Sequence, residues 1–530
     1  MSHKYSDLRK HLTILEKEDL LYKIKRPINR NTELHPLVRW QFRGGLSEKD
    51  RKAFLFENVV DSKGKKFSMP VTVGAYAASK YIYAIGLGCE PEKIPSKWEQ
   101  ALSNPLEPVF VSEGKAPVHE VVKIGNELKT QGNGFDKFPV PISTPGFDCA
   151  PYITCSNWVT KDPNTGIQNI GNYRSQIKAQ NILGVKIDSF QDGAFHWKRC
   201  KEKQLSLEAA VVIGPPPVIA FAAAHKAPRG VDEHTIAGGL AGIPINVVKC
   251  KTVDLFVPAE AEIVIEGIFS TEFMEPEAPF GESHGYMSPR ELSYIFEATA
   301  ITHRKEPIWV SWISQVTPSE SSVIKRDAYN HSFLLYLKVD CRIPNINRVI
   351  MHEPLTNLRK TIIIQMKNPS QEEVWRALYA VIGREPGVGK IVIAVDGDID
   401  PENMDAVIWA MSYRMKPHED VDIVRHRVKG HGPPFTSNKQ LERLPDDSAL
   451  LINATLKEPF PPVSLPKREF MENAKKIWEE LNLPKLKPES PWFGYSLGQW
   501  NDELDHDAQM ALEDKHYLIG KKLAAMKEKV

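Results

Sequence analysis

Hydrophobic patterning divides the chain into three regimes. The first opens with MSHKYSDLRKHLTILEKEDLL, where Leu8, Leu12, Leu15, Leu20 and Leu21 mark an amphipathic helix. Up to residue 120, helical segments alternate with short apolar runs such as Ala53-Phe-Leu-Phe56 and Met69-Pro-Val-Thr-Val73, which predicts α/β structure. The second regime, residues 125–310, is a series of short β-rich runs: Tyr152 to Val159, Leu207 to Ile213, Ile245 to Val248 and Glu262 to Glu266. Gly and Pro punctuate them, as in a β-barrel or sandwich with few helices. Trp309-Val-Ser-Trp-Ile313 reads as one more strand. In the third regime, 320–425, Val349 to Met351 and Ile391 to Val395 read as buried strands, and Gln371 to Ile382 and Pro401 to Tyr413 as helices. Residues 468–483 and 504–528 read as helices too. Prolines mark the joints: Pro139-Val-Pro141, Pro215-Pro-Pro217, Pro433-Pro434, Pro459 to Pro466 and Pro484 to Pro491. A terminal helix beyond such a linker packs on a neighbouring subunit or caps its own domain.

Composition narrows the class. At 530 residues the chain is too long for one core, so two to four domains are expected. With 42% apolar and 25% charged residues it is an ordinary globular chain, and its net charge of +1 supplies no general pull toward nucleic acid or membrane. No apolar run reaches the ~18–20 residues a membrane span needs, and the first helix lacks the apolar centre of a signal peptide. The six cysteines are scattered without a C-x-x-C, so neither a zinc pattern nor a disulfide framework is expected. A reducing cytoplasm is the simplest compartment.

The densest chemistry lies in Glu277-Ala-Pro-Phe-Gly-Glu282. Pro279 and Gly281 forbid a regular helix, so a shaped loop is expected that aims two carboxylates into one cavity. Close like charges cannot both ionise cheaply, so one acid must be protonated or held by a cation. That is what proton transfer needs; a surface turn that happens to be acidic is the plainer reading. Asn169-Ile-Gly-Asn-Tyr-Arg174 follows a hairpin-like turn, Asp162-Pro-Asn-Thr-Gly166. Asn suits a divalent ion only beside carboxylates, and Arg174 can hold a carboxylate pair in fixed geometry. In Ala227 to Gly242 a loop enters a helix that Asp232 can cap, with Glu233 in the first turn as a metal ligand or simply a dipole partner. Gly387-Val-Gly389-Lys390 fails as a phosphate loop, since Arg384 stands where Gly is required and a strand follows; Lys390 remains able to bind phosphate as a point charge. Asp396-Gly-Asp-Ile-Asp400 fails as a calcium loop at Pro401 and Val407. The basic run Lys198 to Lys203 reads as a solvated face or a contact for an anionic ligand.

Taken in order, Asn169/Arg174, Glu233, Val257-Pro-Ala-Glu-Ala-Glu-Ile-Val-Ile-Glu-Gly267, Glu277 to Glu282 and the stretch from Val395 to Ala410 resemble the UbiD family of decarboxylases, which use prenylated FMN. The resemblance runs over residues 5–465. It implies a mixed α+β and α/β fold. An N-terminal α/β domain (1–120) precedes a split β-barrel flavin-binding domain (121–315). A C-terminal α/β domain (316–465) would oligomerise and close the site, followed by a helical tail (466–530). It implies that Glu282 is the proton donor, with Arg174 and Glu277 completing a network. Asn169, Ile170, Tyr173, Arg174, Gln191, His225, Glu233 and Lys390 would contact the cofactor. Asn169, Asp192 and Glu233 would hold a divalent metal (Mn²⁺, Fe²⁺ or Mg²⁺), and backbone carbonyls near Ala223 and His225, with Glu233, a K⁺ ion. Two departures stand out. Asp192 follows Gln191 where many members have His, which makes the site harder. Thr144-Pro-Gly-Phe-Asp-Cys-Ala-Pro-Tyr152 replaces a His-containing segment.

The reaction implied is non-oxidative (de)carboxylation of an aromatic carboxylic acid or its CoA thioester. The basic run favours an aromatic acyl-CoA such as phthaloyl-CoA; a simple aromatic or phenolic acid is the alternative. A flavin prenyltransferase would supply the cofactor, and a homodimer or homohexamer is expected. An ordinary FMN oxidoreductase is the reading of another class, because the β-rich middle also resembles split-barrel flavin reductases.

Overall fold

The computed structural model describes residues 7–225, 227, 229–277, 279–385, 387–428, 447–486 and 501–527. Pro433-Pro434, Pro488 and Pro491 of the expected joints, and Pro228 and Ala278 of the motifs, lie outside the described residues. The chain divides into two compact units: residues 7–332 with 351–359, and residues 333–350, 360–428 and 447–527.

In the first unit the opening helix, Leu8–Lys17, buries Leu8, His11, Leu12 and Leu15. It is shorter than its leucine spacing predicts. Asp19 turns the chain at φ 54°, and Leu21 starts a strand instead of a last helical turn. That strand, Leu21–Ile24, begins a four-stranded sheet continued by Ala53–Phe56, Val71–Val73 and Trp309–Ser311. The expected strand at Trp309 therefore forms, but it pairs in parallel with Val71–Val73, far back in the chain.

The centre of this unit is a nine-stranded sheet made of β1 (Val121–Ile124), β2 (Tyr152–Ile153), β3 (Asn157–Lys161), β4 (Gln168–Asn172), β5 (Ser175–Ile177), β6 (Ile182–Val185), β7 (Leu207–Ile213), β8 (Ile263–Glu277) and β9 (Glu291–His303). The order is β4-β3-β7-β8-β9-β6-β5-β2, with β1 also on β9. β7 is buried at every position except Glu208, which is why it reads as a nearly continuous apolar run. The run expected as one strand from Tyr152 to Val159 is two. The chain turns at Thr154-Cys155-Ser156, placing β2 at one end of the sheet and β3 near the other. Tyr173 and Arg174 make the matching crossing between β4 and β5. The crossings are tied together: Tyr173 N donates to Ser156 O at 3.3 Å, Trp158 Nε1 donates to Tyr173 O at 3.1 Å, and Ser156 Oγ donates to the same carbonyl. The twisted sheet thus curls until its ends share two continuous segments, giving the split barrel expected. Three helices pack with it: α1 (Asp192–Glu202), α2 (Pro217–Ala224) and α3 (Glu233–Ala241). α2 is apolar all round and wholly buried.

The second unit is built on a five-stranded sheet, ordered Ile346–Met351, Thr361–Met366, Ile391–Asp396, Asp447–Ala454, Val421–Arg427. Helix Gln371–Arg384 starts on a Ser370/Glu373 capping box, and the helix expected from Pro401 starts at Met404, capped by Asn403. The helix expected over 504–528 is two, Asp502–Leu512 and His516–Ala525, broken where Asp514 adopts φ 59°. Helix Arg468–Glu480 buries none of its residues and leaves Phe470 42% and Ile477 48% exposed.

Candidate active site

Arg174 sits at the seam of the half-barrel, beside Tyr173 in the crossing between β4 and β5, and its guanidinium organises the two acids. Nε donates to Glu277 Oε1 at 3.0 Å and Nη2 to Oε2 at 2.8 Å, a bidentate pair; Nη1 forms an ion pair with Glu282. Glu277 is the last residue of β8, and its side chain is fully buried. Past Pro279 the chain makes a small hairpin, Phe280–Gly281 against Met287–Ser288, not an irregular loop. Glu282 follows its first strand with 16% of its side chain exposed. One carboxylate is thus locked and dry, while the other keeps a route to water. The Arg174 guanidinium also lies 5.1 Å from the Phe280 ring centre. Tyr152 packs on that ring at 4.3 Å, and burial first, then the charge of Glu277, raises its phenol.

The unfamiliar segment from Thr144 supports this hairpin. Asp148 Oδ2 accepts from Thr144 N at 2.6 Å, and Arg39 Nη2 donates to Ser143 O at 2.9 Å. A Cβ on Gly281 would lie 2.8 Å from Thr144 Oγ1, so the hairpin approaches closer than any side chain allows.

Seven of the expected cofactor and metal residues line one cavity: Asn169, Ile170, Tyr173, Gln191, Asp192, His225 and Glu233. Glu233 opens α3 after the Asp232 cap and accepts from Ile170 N at 2.6 Å. The Asn169 amide lies 2.7 Å from Ile170 N and 3.2 Å from Asp192 Oδ2, with its nitrogen turned toward Asp192. Asp192 is also held by Arg229 Nε at 2.8 Å. Burial pushes the Glu233 carboxyl well above the usual range, and Asp232 and Asp192 add to the shift, while the Ile170 N–H opposes it. A buried carboxylate beside a second acid and an amide side chain is a donor set that fits a hard or borderline divalent cation. Among the described residues no three His, Cys, Asp or Glu side chains form a metal cluster; the group here is two acids and one amide. Gln191 precedes α1, its Oε1 accepting from Asp188 N at 2.7 Å, and Tyr173 OH accepts from Gly193 N at 3.3 Å. His225 ends α2 with its ring 4.8 Å from that of Trp98.

Other motifs are absorbed locally. Lys390 belongs to the second unit, where it pairs with Asp447 at 2.8 Å. Asp396 and Asp398 clamp Arg414 at 2.8 and 2.6 Å. In the basic run Arg199 pairs with Asp162, Lys201 lies over the Trp197 ring, and Lys203 donates to Pro163 O at 3.0 Å. Glu262 holds the first helix through a bidentate pair with Arg9 at 2.9 and 3.0 Å.

The cavity has a wall that no motif pointed to: Lys325 and Tyr329 from helix Glu320–Leu335, and Arg359. The four-residue spacing of Lys325 and Tyr329 on one helix is the one local signal of it in the sequence. Arg359 arrives from a segment that no local pattern connects to this site.

Comparison with known proteins places this chain in a class. Residues 109–316 match the 3-octaprenyl-4-hydroxybenzoate carboxy-lyase Rift-related domain, and residues 328–440 the C-terminal domain of the same enzymes. An uncharacterized protein of Archaeoglobus fulgidus is 31% identical over 443 residues, 79% of this chain and 86% of its own. Among solved structures, an evolved dimeric form of the UbiD-class enzyme HmfF from Pelotomaculum thermopropionicum, in complex with prFMN, superposes with a TM-score of 0.75 at 26% identity, covering 89% of this chain and 99% of that one. The vanillic acid decarboxylase of Sedimentibacter hydroxybenzoicus in closed form gives 0.78 at 25% identity, covering 90% and 99%. The chain belongs to the UbiD family and is a carboxy-lyase of that class. The oxidoreductase alternative is set aside.

Proposed function

We propose that the protein is a prenylated-FMN-dependent, non-oxidative (de)carboxylase that exchanges CO2 and a proton on an aromatic carboxylic acid. The observation that carries this reading is the Arg174 guanidinium shared between Glu277 and Glu282, one residue from the Tyr173 that lines the cavity. The modified flavin, when bound, supplies the electron sink that losing CO2 from an sp² carbon requires. The rest falls to the chain. Arg174, fixed by Glu277, orients the network. As the bond to the carboxylate carbon breaks and CO2 leaves, its electron pair stays on the ring carbon, and Glu282 delivers the proton that replaces CO2. Glu282 regains a proton through its exposed edge; in the carboxylation direction it accepts the proton instead.

Asn169, Asp192 and Glu233 would hold the divalent metal, and carbonyls near Ala223 and His225, with Glu233, the K⁺ ion. The substrate is a free aromatic or phenolic acid, or its CoA thioester. Local capture of Arg199, Lys201 and Lys203 favours the free acid over the acyl-CoA. A flavin prenyltransferase would supply the cofactor. The exposed Phe470 and Ile477 suit a subunit contact in a homodimer or homohexamer.

The test is CO2 release from aromatic acids and their CoA thioesters by the protein expressed with a flavin prenyltransferase. Turnover with a prenylated-flavin spectrum is expected. Glu282→Gln should retain that spectrum and lose 10²- to 10⁴-fold in rate, the range of general acid–base catalysis. Plain FMN with NAD(P)H turnover, or wild-type rates in Glu282→Gln, would overturn the reading. Competition by free CoA would restore the thioester.

A further inference from the structure

The wall of Lys325, Tyr329 and Arg359 has an electrostatic problem that the expected site does not solve. Lys325 is half-buried in the cavity, and its ammonium makes no ion pair or hydrogen bond among the described residues. Burial and the neighbouring Arg359 lower it to about 8, while Asp188 attracts it without pairing. A desolvated cation with no paired counter-charge is destabilising unless an anion meets it.

Arg359 is placed with equal deliberateness. It donates to the Tyr329 hydroxyl, and its guanidinium lies 5.2 Å from that ring's centre. The stretch delivering it holds Leu355, Asn357 and Leu358 at φ 62°, 56° and 58°, a region that non-glycine residues rarely occupy. Contacts with the start of the Lys325 helix hold it there. Thr317 Oγ1 donates to Glu353 O at 2.7 Å, Leu355 N donates to Thr317 O at 3.1 Å, and the Glu353 carboxylate accepts from Ser322 Oγ and, at 3.0 Å, from Arg326. Strain of this kind collects at ligand sites.

We propose that Lys325 and Arg359, with the Tyr329 hydroxyl, form an anion subsite that selects an aromatic acid carrying a second carboxylate on its ring. The inference rests on the cavity being the cofactor and substrate site, and it narrows the substrate class. These cations come from different elements than Asn169, Asp192 and Glu233, so the lining of the cavity combines a group suited to a metal with a group suited to an anion. The carboxylate that leaves must face Arg174 and Glu282; a second anionic group on the same ring then has its own place.

The same cations would also attract a flavin phosphate, so the experiment separates the two sources. The FMN-loaded full-length protein is titrated calorimetrically with benzoate and with benzene-1,2- and 1,3-dicarboxylate. At least tenfold tighter binding of one dicarboxylate over benzoate is expected. Lys325→Met should cut that preference below twofold with benzoate unchanged, and Lys325→Arg should retain most of it. In parallel, FMN and riboflavin affinities are compared. Lys325→Met should leave their ratio within twofold. A tenfold loss for FMN alone would make the site a phosphate ligand and overturn the proposal, as would wild-type dicarboxylate preference in Lys325→Met or no preference in the wild type. Loss of CO2 release with every acid would instead sink the decarboxylase reading, while these binding ratios are still measured.

Discussion

At the scale of single residues, charge placement separates those that stabilise the fold from those that cost stability. Arg174 gains from its geometry, since a planar fork fits two carboxylates at once. Arg174→Lys keeps the charge and loses the bidentate pair with Glu277; turnover of the reconstituted enzyme should fall at least tenfold, with the flavin spectrum as control. Lys325 does the opposite. Its folded-state value of about 8 lies below the 10.5 of the free side chain, so the charged form opposes folding at neutral pH. The stability contribution is complete above 10.5 and is lost as pH falls through 8. Lys325→Met should therefore melt at a higher temperature than wild type at pH 7 in the absence of ligand, and the gap should close as pH rises toward 10, read by circular dichroism. A residue retained at such a cost fits a ligand-binding role.

At the scale of elements, the long strands β8 and β9 carry Glu277 to its place, and their irregularities are necessary. The register shifts between Glu266 and Gly267, where a Cβ would lie 2.1 Å from the Glu297 carbonyl oxygen. A backbone atom in a paired strand cannot yield as a side-chain tip can. Gly267→Ala should cost about 1–3 kcal/mol, measured by denaturant unfolding. Period and punctuation made β7, the hairpin β3–β4 and the helix at Gln371 legible in the sequence. They misled at Tyr152 to Val159, where a continuous β-rich run hides a crossing at Thr154 to Ser156. They also misled at 504–528, where a left-handed Asp514 breaks a helical pattern. In both cases a local conformation that composition does not signal redirects the chain.

At the scale of the whole molecule, the expected metal couples binding to folding. Any group that binds only the folded state stabilises it, by about 2.7 kcal/mol at a hundredfold excess over its Kd. Mn²⁺ should raise the melting temperature of the FMN-loaded protein, and EDTA should reverse the rise. Asp192→Asn and Asn169→Ala should each reduce the shift. Equal shifts in wild type and both variants would remove these residues from the ligand set.

The sequence by itself singled out the residues proposed for the network and for the metal donors. Those roles depend on residue type and on order along the chain: an Asn, an Arg, a Glu at a helix start, and two acids around Pro-Phe-Gly. Short apolar runs broken by Gly and Pro indicated a β-barrel or sandwich, and the resemblance carried by the ordered motifs narrowed that to a split barrel. Only the tertiary structure decided that Arg174 stands at the barrel seam between both acids, that the segment from Thr144 braces their hairpin, and that Lys325, Tyr329 and Arg359 share the cavity of Asn169 and Glu233. These are contacts between residues far apart in the chain. They are set by where the sheet curls and which strands meet, and no local pattern of hydrophobicity or charge encodes that.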